Sequence, residues 1–186
     1  MAKKVMLSFP DEFLAEVDRV AREEQRSRSE LVREVARGAR MNAHVVPDTS
    51  VVVKWLRQGE ILADHALALR SAYVDGRIQI SVPALLVYEL ANVLRYKDEL
   101  TTLQVGDAVR SLFDMGMEWV PPTAATMRRA VEIARQFDVT VYDAVFAAVA
   151  ENSAAVFVTA DERLARRLAT LPFVRYLGDV ETDGDA

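Results

Sequence analysis

Hydrophobic and polar residues alternate at the start of the chain and then repeat at helical spacing. Val5, Leu7 and Phe9 are apolar at every second position, which predicts a short half-buried strand over residues 3–9 that ends at Pro10. Apolar stripes predict one helix over residues 11–24 and a second that opens with the capping-box pair Ser27 and Glu30. One strand and two short helices cannot bury these stripes alone. The pattern therefore predicts a small module that pairs with a second copy, so we expect at least a homodimer.

From residue 45 onward, short β-branched runs alternate with longer helical stretches. The predicted strands are Val45–Val46, Ile78–Ser81, Met117–Val120 and Ala155–Val158. The predicted helices cover about residues 49–57, 60–74, 84–98, 102–114, 123–137, 141–151 and 162–170. Strands separated by helices favour crossover connections. This part of the chain is therefore predicted to be an α/β/α sandwich with a mainly parallel central sheet.

The change of pattern divides the 186 residues into four parts. They are an N-terminal module of residues 1–40, a linker of residues 41–44, a larger domain of residues 45–178 and an acidic tail of residues 179–186. The whole chain has a net charge of −5, whereas residues 1–40 hold 9 basic and 8 acidic side chains. The two modules therefore differ in charge as well as in pattern.

Composition excludes several classes of function. The chain has no cysteine and only two histidines, which excludes disulfides, thiol catalysis and cysteine-ligated zinc and argues against a histidine-rich metal site. No apolar run approaches the ~18 residues of a membrane span, and the start lacks a secretory hydrophobic region. We expect a cytoplasmic protein with no membrane partner.

Four carboxylates occupy positions that suggest chemistry. Asp48 and Asp161 each follow a predicted strand, so both should face the crevice beyond the carboxyl ends of a parallel sheet. Glu89 and Asp143 interrupt apolar helix faces, where a carboxylate is costly unless it is paired or binds a cation. Each also has a structural alternative. The alternatives are an N-cap at Asp48, an exposed stripe pairing Glu89 with Arg95 or Lys97, a capping box of Thr140 with Asp143, and an N-cap at Asp161.

Four segments around these acids resemble the signature segments of PIN domains, especially VapC-type toxin ribonucleases. They are VVPDTSVVVKWL, SVPALLVYELANVL, TVYDAVFAAVAE and VFVTADERL, within about residues 44–178. The resemblance implies an acidic site of Asp48, Glu89, Asp143 and Asp161, supported by Ser50 and Thr159. It also implies an RNA substrate that is cleaved to leave a 5′-phosphate and a 3′-hydroxyl.

Carboxylates without histidine or cysteine suit a hard cation, Mg²⁺ or Mn²⁺. Such an ion can lower the pKa of a bound water and stabilise charge during in-line displacement at phosphorus. We expect Asp48, Glu89 and Asp161 to be ligands, directly or through water. Asp143 would bind a second metal or orient the attacking water. Mutual repulsion should raise some of these pKa values until a cation binds.

The first forty residues resemble the ribbon-helix-helix family of DNA-binding proteins, through the pattern strand, proline, helix, RSRSEL and helix. The resemblance implies a ribbon in the major groove of operator DNA and a helix start near the phosphates. The residues implied in DNA binding are Lys4, Met6 and Ser8 on the strand and Ser27, Arg28 and Ser29 at the second helix. The alternative is a dimerisation module whose polar strand face meets solvent.

Other functions fit less well. A phosphatase of the haloacid dehalogenase type needs a second aspartate where Ser50 stands, and no phosphate-binding glycine motif occurs. The main alternative is a DNA-binding regulator whose PIN domain is an inactive interaction module.

The joint between the two modules, residues 41–44, is short. It leaves no room for the segment with which an antitoxin of this type blocks its toxin. A separate antitoxin is one candidate partner, and Met41, which stands where a free toxin would begin, is a conceivable internal start.

Overall fold

The computed structural model describes residues 19, 43–56 and 59–180. The last two ranges belong to Asn42–Ala186, one of the two units into which the chain divides. The predicted strand and helices of the N-terminal module lie outside the described residues except for Arg19. The proposed DNA contacts and residues 181–186 of the acidic tail also lie outside them. The boundaries of the predicted modules therefore stay predictions.

Five described strands form one sheet. They are β1 (Ala43–Pro47), β2 (Ile78–Pro83), β3 (Glu118–Val120), β4 (Val156–Thr159) and β5 (Val174–Tyr176), in the order β3-β2-β1-β4-β5. All four neighbouring pairs are parallel, and in the β1–β4 pair Val46 lies opposite Phe157. After β1 the chain adds β2 and β3 on one side of β1, and it then adds β4 and β5 on the other side. The boundary between β1 and β4 is therefore the switch point where open α/β sheets bind ligands.

Seven α-helices connect or flank these strands in the described part. They are α1 (Thr49–Trp55), α2 (Ala63–Val74), α3 (Leu85–Leu94), α4 (Thr102–Asp114), α5 (Ala124–Phe137), α6 (Val141–Asn152) and α7 (Glu162–Arg167). A 3₁₀ turn, Leu177–Asp179, follows β5. The predicted α/β fold with a parallel sheet and flanking helices is confirmed.

Several predicted boundaries were wrong. The helix predicted to reach residue 98 ends at Leu94, the last buried residue of α3, because the charged residues that follow have no apolar surface to pack. The helix predicted from residue 60 begins at Ala63, since Leu62 adopts a left-handed conformation with φ 64°. The strand β5 was not predicted, because three residues are too few to show an alternating pattern.

The core lies around β1, β4 and α6. Residues 144–150 of α6 are all buried, and this helix contacts β1, β2, β4 and α5. Val46 and Phe157 are fully buried in the central strands. A helix that is apolar all round is typical of such a buried position. In the part of the chain that the structure describes, no helix has the length and apolar character needed to cross a membrane.

Candidate active site

Asp48 lies at the switch point of the sheet. Its backbone N–H donates to the Val158 carbonyl at 3.1 Å, which extends the pairing of β1 and β4 by one residue. Its side chain is only 7% exposed and accepts hydrogen bonds from the Ser50 hydroxyl at 2.5 Å and the Val51 N–H at 3.2 Å. Asp48 is therefore the N-cap of α1, as the structural alternative predicted. The same carboxylate also lies at the switch point.

Ser50 and Thr159 join the ends of β1 and β4. The Ser50 oxygen accepts from the Ala160 N–H at 2.8 Å and lies 3.4 Å from the Thr159 hydroxyl. Thr159 is fully buried and accepts from the Asp161 N–H at 3.0 Å. These bonds connect Asp48 to the turn that carries Asp161, although 113 positions separate the two acids in the sequence. The structure therefore brings together the two hydroxyls that the resemblance marked as supporting residues.

Asp161 occupies the exposed side of this edge. Its side chain accepts from the N–H groups of Arg163 at 2.8 Å and Leu164 at 3.1 Å, so it is the N-cap of α7. The capping alternative is correct as a description of local structure. It does not exclude ligand binding, since a carboxylate has further lone pairs.

Glu89 and Asp143 extend from helices on the neighbouring part of the site. Glu89 is half-buried on α3 and accepts a hydrogen bond of 2.5 Å from Thr49, the residue after Asp48. Asp143 is close enough for its charge to raise the pKa of Glu89. The predicted exposed stripe with Arg95 or Lys97 was wrong: Glu89 is directed to Thr49, and the Arg95 guanidinium bonds to Asn92 and Tyr96.

Asp143 is held by the residue that caps its helix. The Thr140 hydroxyl accepts from the Asp143 N–H at 3.1 Å and donates to its carboxylate at 2.7 Å. This arrangement satisfies the first turn of α6, as the capping alternative predicted. The four acids therefore lie at the starts of α1, α6 and α7 and on α3, in one connected region.

Sequence reasoning missed Thr49 as a site residue. It is buried, and its hydroxyl orients Glu89, yet it lies in the same DTS segment as Asp48 and Ser50. The sequence alone gives no reason to assign the hydroxyl of Thr49 or that of Ser50 to a particular acid. Only the packing of α1 against α3 shows that Thr49 donates to Glu89, whereas Ser50 donates to Asp48.

Burial controls the charge of the two inner acids. It raises the pKa of Asp48 from 3.8 to about 6, while hydrogen bonds from Ser50, Thr159 and Val51 act in the opposite direction. Burial also raises the pKa of Glu89, with the Thr49 bond lowering it and Asp143 adding repulsion. The expected rise is present, but its main cause is desolvation and not the mutual repulsion that was predicted.

The donor set fits a hard divalent cation. The site offers carboxylate and hydroxyl oxygens, and a positive ion would stabilise the anionic forms of the buried Asp48 and the half-buried Glu89. Among residues 43–56 and 59–180, no three His, Asp or Glu side chains come close enough together to hold one metal ion.

The comparisons with known proteins agree with this fold. The model of the PIN domain family matches residues 45–169, and the chain therefore belongs to that family. No curated protein matches the chain.

Three solved structures illustrate the likeness. A chain of VapBC2 from Rickettsia felis, crystallised with a promoter DNA fragment, has 12% identity and a TM-score of 0.55, covering 72% of this chain and 98% of that one. FitAcB from Neisseria gonorrhoeae has 17% identity and a TM-score of 0.54, with coverages of 73% and 99%. VapC20 from Mycobacterium tuberculosis, described as a sarcin-ricin loop cleaving toxin, has 15% identity and a TM-score of 0.53, with coverages of 66% and 93%. At these identities the likeness establishes the fold.

Proposed function

We propose that the protein is a divalent-metal-dependent endoribonuclease of the toxin type. The observation that carries this proposal is the hydrogen-bonded connection at the switch point, which holds Asp48 beside the turn of Asp161 and links Thr49 to Glu89. Membership of the PIN domain family supports a nuclease. The similarity to a toxin that cleaves the sarcin-ricin loop favours RNA as the substrate.

Asp48, Glu89 and Asp161 would hold Mg²⁺ or Mn²⁺, at most two of them directly and the rest through water. Asp143 would bind a second ion or orient the attacking water. A bound ion would polarise the scissile phosphate and make a water more acidic. Ser50 and Thr159 keep the Asp48 carboxylate in place by hydrogen bonding, and Thr49 does the same for Glu89. Pre-positioned carboxylates lose little freedom when the site is loaded.

The reaction would be hydrolysis of a phosphodiester. A water oxygen forms a bond to phosphorus, and the bond from phosphorus to the 3′-oxygen breaks. The 3′-oxygen takes up a proton, so the products carry a 5′-phosphate and a 3′-hydroxyl.

A cleavage assay tests the enzyme. Purified wild-type protein is incubated with total RNA and Mg²⁺ or Mn²⁺, beside Asp48→Asn, Asp161→Asn and an EDTA control. We expect the wild type to cleave, and we expect no cleavage by either site variant or in EDTA. The matched control is Asp107→Asn, which changes an exposed aspartate of α4 and should leave cleavage unchanged. Cleavage that persists in EDTA and in both site variants would contradict the metal mechanism, and absence of cleavage in all samples would favour the DNA-binding regulator.

The N-terminal module is proposed to bind operator DNA as a homodimer and to autoregulate the operon. Support comes from its sequence pattern and from the similarity of the PIN domain to VapBC2, which was crystallised with promoter DNA. A separate antitoxin is proposed as a further partner, since the similar structures include toxin-antitoxin complexes. We propose the cytoplasm as the location.

A further inference from the structure

An apolar cavity of about 390 Å³ opens beside the acidic site. It lies at the carboxyl ends of β2 and β3, between the first turns of α3 and α6. None of the thirteen residues that line it is charged; they include Leu85, Tyr88, Val120, Met127, Tyr142 and Val145. A cavity of this size matches the pockets in which proteins bind small molecules.

Two tyrosines place the cavity next to the acids. Tyr88 immediately precedes Glu89 on α3, and Tyr142 immediately precedes Asp143 on α6. Each tyrosine lines the cavity, although Tyr88 is 74% and Tyr142 64% exposed. Glu89 and Asp143 interact with each other electrostatically, so the same two helix turns present a pair of acids and a pair of aromatic rings.

We infer that this cavity, with Tyr88 and Tyr142 at its mouth, binds an unstacked nucleobase of single-stranded RNA next to the scissile phosphate. The inference rests on the proposed function, because it assigns the neighbouring phosphate to the acidic site. A phosphodiester and the base of its own nucleotide are separated by one sugar. A divalent cation held by the acidic site would bind the phosphate near Glu89 and Asp143, and a base of the same strand would then lie within reach of the adjoining tyrosines.

The chemistry of the cavity favours a nucleobase. Its lining is uncharged and largely apolar, which suits a neutral planar ring and would not compensate a phosphate. Proteins that recognise single-stranded RNA commonly stack splayed bases on aromatic side chains. Exposed tyrosine rings offer such surfaces, and each phenol adds a hydrogen-bonding group. A cation held by the acids would position the backbone, and the tyrosines would hold the base.

Direct binding tests this assignment without relying on cleavage. The probe is a short fluorescein-labelled single-stranded RNA, titrated with the full-length protein in Ca²⁺, which takes oxygen ligands as Mg²⁺ does, while fluorescence anisotropy is measured. An excess of unlabelled duplex DNA occupies the N-terminal module. Tyr88→Ala and Tyr142→Ala should each weaken binding about 5- to 100-fold, as expected for the loss of a stacked base. Tyr88→Phe and Tyr142→Phe should bind within about 3-fold of wild type, because the ring face remains.

The matched control is Tyr96→Ala. Tyr96 is 66% exposed and follows α3, but it does not line the cavity. This variant should bind RNA like the wild type. A second probe is the same RNA with abasic residues in place of the bases. On this probe the alanine variants should bind with the same affinity as the wild type, because there is no base to stack.

Three results would overturn the inference. They are unchanged RNA binding by both alanine variants, equal loss in Tyr96→Ala, or equal affinity of wild type for the abasic probe. If the tyrosine variants bind RNA normally but no longer bind a partner protein, the cavity is a protein-docking site and the inference is wrong. Cleavage is scored separately on the same RNA. Ring-dependent binding without cleavage would support the base pocket and overturn only the nuclease.

Discussion

Thr49 donates a hydrogen bond of 2.5 Å to Glu89, which stands forty residues later on a different helix. This bond ties the start of α1, directly after β1, to the middle of α3, directly after β2. Since Thr49 follows Asp48, one short segment positions both inner acids of the site. The next residue, Ser50, donates to Asp48 and accepts from the Ala160 N–H after β4.

Asp48→Asn should stabilise the metal-free protein at neutral pH. Folding raises the pKa of Asp48 from 3.8 to about 6, so the folded state holds the proton more tightly than the unfolded state. The contribution of Asp48 to the free energy of unfolding therefore falls as the pH rises from about 4 to about 6, and stays low above that. Asparagine removes this cost and can still accept from Ser50 and Val51.

We expect Asp48→Asn to raise the free energy of unfolding by about 1–3 kcal/mol at pH 7.5 and by much less at pH 4. Urea denaturation in EDTA at both pH values measures it. Asp107→Asn, on the exposed face of α4, is the control and should change little at either pH. A lower stability of Asp48→Asn at pH 7.5 would show that the carboxylate is not an unfavourable anion in the folded state.

Ser50→Ala should destabilise the protein by about 1–3 kcal/mol, because it leaves the Ala160 N–H without its acceptor and removes a donor to Asp48. It should also raise the pKa of Asp48 further, since the Ser50 bond favours the carboxylate. Thermal and urea unfolding measure the loss. Ser71→Ala removes an exposed 3.4 Å hydrogen bond to Asp75 and should cost far less. Equal losses in the two variants would argue against a special role for Ser50.

Mn²⁺ should raise the melting temperature of the wild type, because the unfolded chain has no preformed site and binding to the folded state alone stabilises it. At a Mn²⁺ concentration of one hundred times Kd, the gain is about 2.7 kcal/mol. Glu89→Gln should reduce the shift, and it should also stabilise the metal-free protein because it removes an unfavourable half-buried charge. Scanning calorimetry with and without Mn²⁺ separates the two effects. An identical Mn²⁺ shift in wild type and Glu89→Gln would place the metal elsewhere.

The N-terminal module should make the full-length protein a dimer that binds duplex DNA. Lys4→Ala should weaken binding to the operator but hardly change binding to unrelated DNA, since a strand side chain would touch base edges. Arg28→Ala should weaken binding to all sequences and reduce the slope of log affinity against log salt by about 1, since it would contact phosphate. Sedimentation and DNA titrations at several salt concentrations check both. A monomer, or a salt slope unchanged in Arg28→Ala, would contradict the ribbon-helix-helix assignment.

Much of the fold was predictable because its signals are local. The alternation of β-branched runs with helical stripes predicted the α/β class and four of the five strands, and it placed Asp48 and Asp161 at strand ends. Those predictions depend on periodicity and on the rule that parallel strands end at one edge. The short strand β5 (Val174–Tyr176) was not predicted, and only its pairing with β4 in the folded sheet identifies it.

The sequence by itself determined which carboxylates and hydroxyls exist, their order along the chain, and the turns and caps that hold Asp143 and Asp161 locally. The tertiary structure alone decided that Ser50 meets Ala160, that Thr49 meets Glu89, and that Tyr88 and Tyr142 share one cavity. It also decided that burial, more than repulsion, raises the pKa of Asp48. Hydrogen bonds between residues so far apart in sequence, and the desolvation of a side chain, depend on which surfaces pack together. No local pattern of residues encodes that packing.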